Sequence, residues 1–214
     1  MRVFKMIEIF DILEAKEYID GLKAVIFDMD DTLYGEKEYV RSGYRQIARI
    51  LPQVENAEEK LWSLFEEKKP AIDELLKQEG IASEELKQEC IRTYRYQKPE
   101  IHLYEGVKGL LTDLREQGLL IGVITDGRPE GQRAKIAVLG LEDLVDEIIV
   151  TDELGGTEFR KPNPAAFQKM KEKLDVEYKE MCYIGDNIRK DFIAPEQLGM
   201  KSIWFKNKDG LYVG

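Results

Sequence analysis

The segment Lys23-Ala-Val-Ile-Phe-Asp-Met-Asp-Asp-Thr-Leu33 decides how the chain is read. A short apolar run ends in acid, and short apolar runs bounded by polar residues fit strands buried on both faces of a parallel sheet. The same pattern recurs in Leu119-Leu-Ile-Gly-Val-Ile-Thr125, Glu147-Ile-Ile-Val-Thr151, Met181-Cys-Tyr-Ile-Gly-Asp186 and Lys201-Ser-Ile-Trp-Phe205. Helical spacing lies between them. Val107, Leu110, Leu111 and Leu114 share one helix face, with Gly118 as a stop. Pro129 to Val138 has Pro at its start and Gly140 past its end. Asn163-Pro164 opens a third helix carrying Phe167, Met170 and Leu174. A fourth runs from about Ile188 to Leu198, bent or shortened at Pro195. Strands alternating with helices imply an α/β fold, an open, parallel, Rossmann-like sheet with right-handed crossovers.

The stretch from about Gly35 to Gln97 lacks strand-like runs and is rich in Glu, Lys, Leu, Ala and Gln. Pro52, Pro70 and Gly80 divide it into about four helices. The chain therefore divides into a sheet-bearing core at 22–34 and 103–214 and an inserted all-helical module at 35–102. Residues 1–21 form an extension of unassigned role, with a helix expected at Asp11 to Ile19.

The 214 residues suffice for one substantial core or a core plus a small module. A net charge of -10 disfavours nucleic acid and anionic membrane as general partners, since the long-range field repels both. No apolar run approaches the roughly 20 residues that span a bilayer. Arg2, Lys5 and Glu8 interrupt the opening residues, which are unlike a secretory signal. A cytoplasmic protein is expected. Cys90 and Cys182 form no motif, and Cys182 reads as core. The single histidine, His102, cannot carry a His-based metal site or triad.

Four polar clusters sit where apolar runs end, and in parallel sheets the binding crevice lies beyond the carboxyl ends of the strands. The first is Asp28-Met-Asp-Asp-Thr-Leu33, in which one carboxylate can attack phosphorus while another handles protons. The second is Thr125-Asp-Gly-Arg128, a hydroxyl and free amides suited to phosphate oxygens. The third is Arg160-Lys-Pro-Asn-Pro164, where Lys161 stands between restricted residues. The fourth is Gly185-Asp-Asn-Ile-Arg-Lys-Asp191, whose hard oxygen ligands suit magnesium. Each alone has an ordinary reading, as a solvated acidic turn, a strand-to-helix turn, an exposed lysine or an acidic helix start. Together, in this order, they are far more specific.

Asp28-Met-Asp-Asp-Thr32 resembles the DxDxT signature of the haloacid dehalogenase-like (HAD) superfamily, in its phosphatase type. Thr125, Lys161 and Gly185-Asp186 to Asp191 resemble that family's later motifs, in order. The resemblance covers roughly residues 22 to 207, and the long insert after the first motif is similar to the helical C1 cap. It implies a magnesium-dependent phosphatase acting on a small phosphorylated metabolite. In that scheme Asp28 is the nucleophile that becomes an aspartyl-phosphate, and Asp30 is the acid and base. Mg2+ is held by Asp28, the Asp30 main-chain carbonyl and Asp186, and Asp191 orients metal-bound water or a neighbouring group. Thr125 and the Asp126 amide hold phosphate, and Lys161 balances charge. Asp126 departs from the Asn of many relatives, and it is expected to face away from phosphate or to make its contact through its main-chain amide.

Dehalogenase members lack the second acid of the first motif, so Asp30 favours phosphoryl chemistry. A phosphomutase, which shares the aspartyl-phosphate, and a catalytically silent binding member both stay open at this level. Tyr34, Tyr39, Arg41 and Arg45 are candidates for reading the substrate. Arg41 and Arg45 at i, i+4 equally suit a solvated helix face. A monomer or weak homodimer is expected.

Overall fold

The computed structural model describes residues 6–211. The described chain separates into two compact units, one of residues 6–36 with 102–211 and the other Lys37–Ile101.

The first unit is built on six strands: β1 (Ile7–Ile9), β2 (Ala24–Phe27), β3 (Leu120–Thr125), β4 (Glu147–Val150), β5 (Met181–Gly185) and β6 (Lys201–Phe205). Their order is β1-β6-β5-β2-β3-β4, and every pairing is parallel. Every residue of β2 and β5 is buried, which is why these central strands read as unbroken apolar runs. From β2 the chain builds outward to β3 and β4, then returns to the other side of β2 with β5 and β6. The direction therefore reverses between β2 and β5, which opens a crevice at their carboxyl ends.

Nine α-helices accompany the described strands: α1 (Glu36–Ile50), α2 (Ala57–Glu66), α3 (Ala71–Gln78), α4 (Glu84–Arg95), α5 (Val107–Glu116), α6 (Pro129–Leu139), α7 (Leu141–Leu144), α8 (Ala165–Leu174) and α9 (Ile193–Leu198). Helix α5 buries Val107, Leu110, Leu111 and Leu114, the stripe expected from spacing. Helix α8 buries Phe167, Met170 and Leu174 in one cluster with Ile26, Ile124 and Tyr183 of the sheet. The approach is close at β3, where a Cβ on Gly122 would lie 2.6 Å from Met170 Sδ. Helix α6 starts at Pro129 and stops at Gly140, whose φ of 65° is the left-handed conformation a helix terminator needs.

Two expectations need correction. The helix expected from about Ile188 starts at Ile193, after a run of turns. Pro195 explains the late start: it lacks an N–H and clashes with the carbonyl four residues back, so it is tolerated in a first turn but not mid-helix. The helix expected from Asp11 is a 3-10 helix, Ile12–Tyr18, closed by a capping box between Asp11 and Glu14. Sequence reading also left β1 unassigned. Ile7–Ile9 pairs with Ile203 to Phe205 of β6, which puts this part of the extension into the sheet. Residues 1–5 lie outside the described residues.

The second unit packs most of α1 with α2, α3 and α4 around Ile47, Leu51, Leu61, Leu75 and Cys90. Ser42 donates to Gln97 Oε1 (2.7 Å) and accepts from the Glu100 amide (2.9 Å), which ties the exit segment to α1. Among the described residues no helix is long and apolar enough to cross a membrane.

Phe167 meets Tyr183 of β5 edge to face at 5.0 Å and is 1% exposed. Phe167→Ala is expected to cost about 3–5 kcal/mol of stability, read as a lower midpoint in urea at unchanged slope.

Candidate active site

Register brings the acids together. Phe27 pairs with Ile184, and the Asp28 amide donates to the Ile184 carbonyl at 2.8 Å. The residues that follow these two strand ends, Asp28 and Asp186, therefore emerge side by side. Asp191 returns on the turn after β5, where its Oδ2 accepts from the Asn187 amide at 2.9 Å. Gly185 makes that return possible, since a Cβ there would lie 2.5 Å from Asp191 Oδ2. On the far side the Asp186 carbonyl accepts from the Trp204 indole of β6 at 2.8 Å.

Lys161 reaches into this group from the loop before α8. Its Nζ lies 2.6 Å from Asp28 Oδ1, 2.8 Å from Asp191 Oδ1 and 2.8 Å from the Tyr183 hydroxyl. Burial disfavours a charged lysine, but Asp191 and Asp28 outweigh it and hold the ammonium well above its ordinary pKa.

Asp28 and Asp191 share this one ammonium, and Asp186 lies close beside them. Oxygens of Asp28, Asp186 and Asp191 all lie within 4.8 Å of one another. Burial, opposed by Lys161 and reinforced by Asp191, pushes Asp28 up to about 7. Burial with repulsion from Asp28 and Asp191 pushes Asp186 up to about 9. Asp191 Oδ1 is buried and accepts no hydrogen bond, although Lys161 Nζ is near. Three hard oxygen donors so close together, with Asp28 and Asp186 pushed up by burial and mutual repulsion, fit a divalent cation such as magnesium, which would relieve that repulsion.

Asp30 stands apart from that cluster. Its Oδ1 accepts from the Tyr34 hydroxyl and from Lys135 Nζ (2.6 Å), and its Oδ2 from Gln132 Nε2 (2.8 Å) and Thr125 Oγ1 (3.4 Å). Burial would raise this carboxyl, but Lys135, Tyr34 and Gln132 bring it below its ordinary range. The Thr125 hydroxyl also accepts from Gln132 at 2.5 Å.

Asp126 is anchored by three donors: Thr151 Oγ1 and the Lys161 amide on Oδ1 (both 3.0 Å), and Lys190 Nζ on Oδ2 (2.8 Å). Burial raises it, and the charges of Lys161 and Lys190 more than reverse that, so it stays ionised. Its negative charge is thus compensated locally, and the residue is among those that border the cavity.

A cavity of about 360 Å³ is lined by Asp28, Asp30, Glu36, Asp126, Arg160, Lys161, Asp186 and Lys190. Five residues named from sequence line it together. Thr125 and Asp191, both fully buried, are not among its lining residues. Sequence reading missed Lys190, Arg160, Glu36, Gln132 and Lys135. Arg160 is held by a two-pronged contact with Asp152, at 2.7 Å on each prong. The signal for Gln132 and Lys135 was available: with Ile136 and Leu139 they form the buried stripe of α6, so two polar residues occupy core positions of a helix. Tyr34 serves Asp30 and is fully buried, which removes it as a surface recognition group. Arg41 and Arg45 are both paired with Glu58, and Arg41 lies over the Trp62 ring at 5.0 Å.

Comparison with known proteins identifies the family. Residues 25–205 match the family model described as haloacid dehalogenase-like hydrolase. The glyceraldehyde 3-phosphate phosphatase of Methanopyrus kandleri is 30% identical over 200 residues, covering 85% of this chain and 83% of that one. The enzyme of the same name from Pyrococcus abyssi is 36% identical over 101 residues, 47% of this chain and 41% of the relative, so that match spans less than half of either. A magnesium-bound HAD hydrolase from Bacillus subtilis has the same fold, with a TM-score of 0.62 at 21% identity and 86% of each chain covered. The chain belongs to the haloacid dehalogenase-like hydrolases and stands among the phosphatases of that superfamily.

Proposed function

We propose that this phosphatase is magnesium-dependent and hydrolyses a small phosphorylated metabolite through an aspartyl-phosphate on Asp28. The reading rests above all on Asp28 itself: a buried carboxylate at the carboxyl end of a central strand, facing a cavity and fixed by a buried lysine.

In the first half-reaction an Asp28 oxygen attacks phosphorus while the bond from phosphorus to the ester oxygen breaks. Asp30, ionised in the free protein, takes up a proton as substrate binds and gives it to that departing oxygen. In the second half, water attacks the phosphorus of the aspartyl-phosphate and the bond to Asp28 breaks. The Asp30 carboxylate takes the proton of that water, which replaces the one it gave up. Lys161 holds the nucleophile in place and offsets charge beside the incoming phosphate. The main-chain amides after Thr125 are the phosphate-binding groups, while the Thr125 hydroxyl supports Asp30 and Gln132. Asp126 acts through its carboxylate as the anchor of Lys190 and the Lys161 loop. Asp28, the Asp30 carbonyl and Asp186 are the proposed cation ligands, and Asp191 orients Lys161 and the cation shell. The cation, when bound, supplies positive charge against the repulsion between carboxylate and phosphate.

The relatives' names make glyceraldehyde 3-phosphate the first substrate to test. A cavity of about 360 Å³ suits a molecule of that size.

Phosphate release from p-nitrophenyl phosphate with magnesium should fall more than about 10³-fold in Asp28→Asn, with the fold retained by circular dichroism. Full activity in that variant would refute the nucleophile. Removing divalent cations should abolish turnover. Independently of turnover, magnesium at about 100 times its dissociation constant should stabilise the folded protein by about 2.7 kcal/mol, seen as a raised melting temperature that Asp186→Ala loses. A melting temperature indifferent to magnesium would sink the cation assignment.

A further inference from the structure

We infer that Lys135, assisted by Gln132, is a positioning residue for the reaction, because it fixes the Asp30 carboxylate at the wall of the cavity. The inference rests on the proposed acid and base role of Asp30.

An ionised carboxylate offers about four acceptor sites. Three are firmly used here, by Tyr34 and Lys135 on Oδ1 and by Gln132 on Oδ2, while Thr125 stands off at 3.4 Å and leaves Oδ2 the less engaged oxygen. Three of the donors are rigidly held. Tyr34 and Thr125 are fully buried, and Gln132 is 4% exposed and braced by Thr125. The fourth, Lys135, brings a full charge on a buried stem, also 4% exposed. Asp30 keeps 18% of its side-chain surface open, on the side that lines the cavity with Asp28. A group that must exchange a proton with an oxygen bound to phosphorus needs one orientation relative to Asp28. Helix α6 provides it from outside the family motifs, with Gln132 and Lys135 one helical turn apart. A buried lysine placed for stability alone would need only a partner. This one has a partner that borders the reaction cavity and shares three further donors.

The test compares wild type, Lys135→Met, Asp30→Asn and the double variant, each assayed with magnesium and p-nitrophenyl phosphate. Lys135→Met should lower kcat by about 10²-fold with KM changed by less than about threefold, the size expected when a reacting group is misplaced. Lys135→Arg, which keeps the charge and a donor, should recover most of that loss. In the Asp30→Asn background the Lys135→Met change should have no further effect, since a residue that acts through another cannot lower the rate once that other is gone. Wild-type kcat in Lys135→Met, or losses that multiply in the double variant, would overturn the inference while leaving the role of Asp30 intact. Asp30→Asn as active as wild type would instead remove the role of Asp30 and the inference with it. Should Lys135→Met fail to fold, Gln132→Leu and Lys135→Arg enter the same double-variant comparison, where multiplied losses again overturn the inference and absent further loss supports it.

Discussion

A protonated lysine buried between two aspartates governs this molecule. The Lys161 side chain has no exposed surface, and an ammonium so placed is tolerable only if its partners are already in position. Those partners come from three places: the end of β2, the interior of β5 and the turn beyond it. Removing one partner of a buried pair costs about 3–5 kcal/mol, so segments more than a hundred residues apart are bound to one arrangement. The sheet register, the glycine at 185 and the loop before α8 are all conditions for satisfying that charge.

The same arrangement concentrates carboxylates beyond what the lysine can neutralise. The apolar layers beneath the site offset that repulsion. Phe167, Met170 and Leu174 from α8 cover β2, β3 and β5, and the α5 stripe is equally buried. A strongly apolar interior thus supports an electrostatically unfavourable rim, whose crowded carboxylates suit the cation proposed to bind there.

Most of the frame was legible in the chain because it follows short-range rules. Ala24 to Phe27 and Met181 to Gly185 are apolar without alternation, which only doubly covered strands require. Asp28 and Asp186 could be named because strand ends in a parallel sheet face one crevice, and Lys161 through the motif resemblance that orders it with them. What was not legible depended on pairing in space. Three residues, Ile7 to Ile9, make too short a pattern to announce a strand, and only the open edge of β6 assigns them one. Pro195 signalled a disturbed helix, but not that the whole stretch from Ile188 to Phe192 would leave it. Lys135 and Gln132 share the stripe of Ile136 and Leu139, which marks them as inward-facing, but that they meet Asp30 depends on how α6 packs. The charge on Asp126 was legible, but not the cation that answers it, since Lys190 reads as an ordinary surface lysine until the fold brings the two together.

The hydrogen bond from the Trp204 indole to the Asp186 carbonyl has a practical side. It fastens a fluorophore to the very peptide that carries a proposed cation ligand. The chain has two tryptophans, and the other, Trp62, belongs to the helical unit. With Trp62 exchanged for phenylalanine, the emission of a single native indole would report events at the crevice without any attached dye.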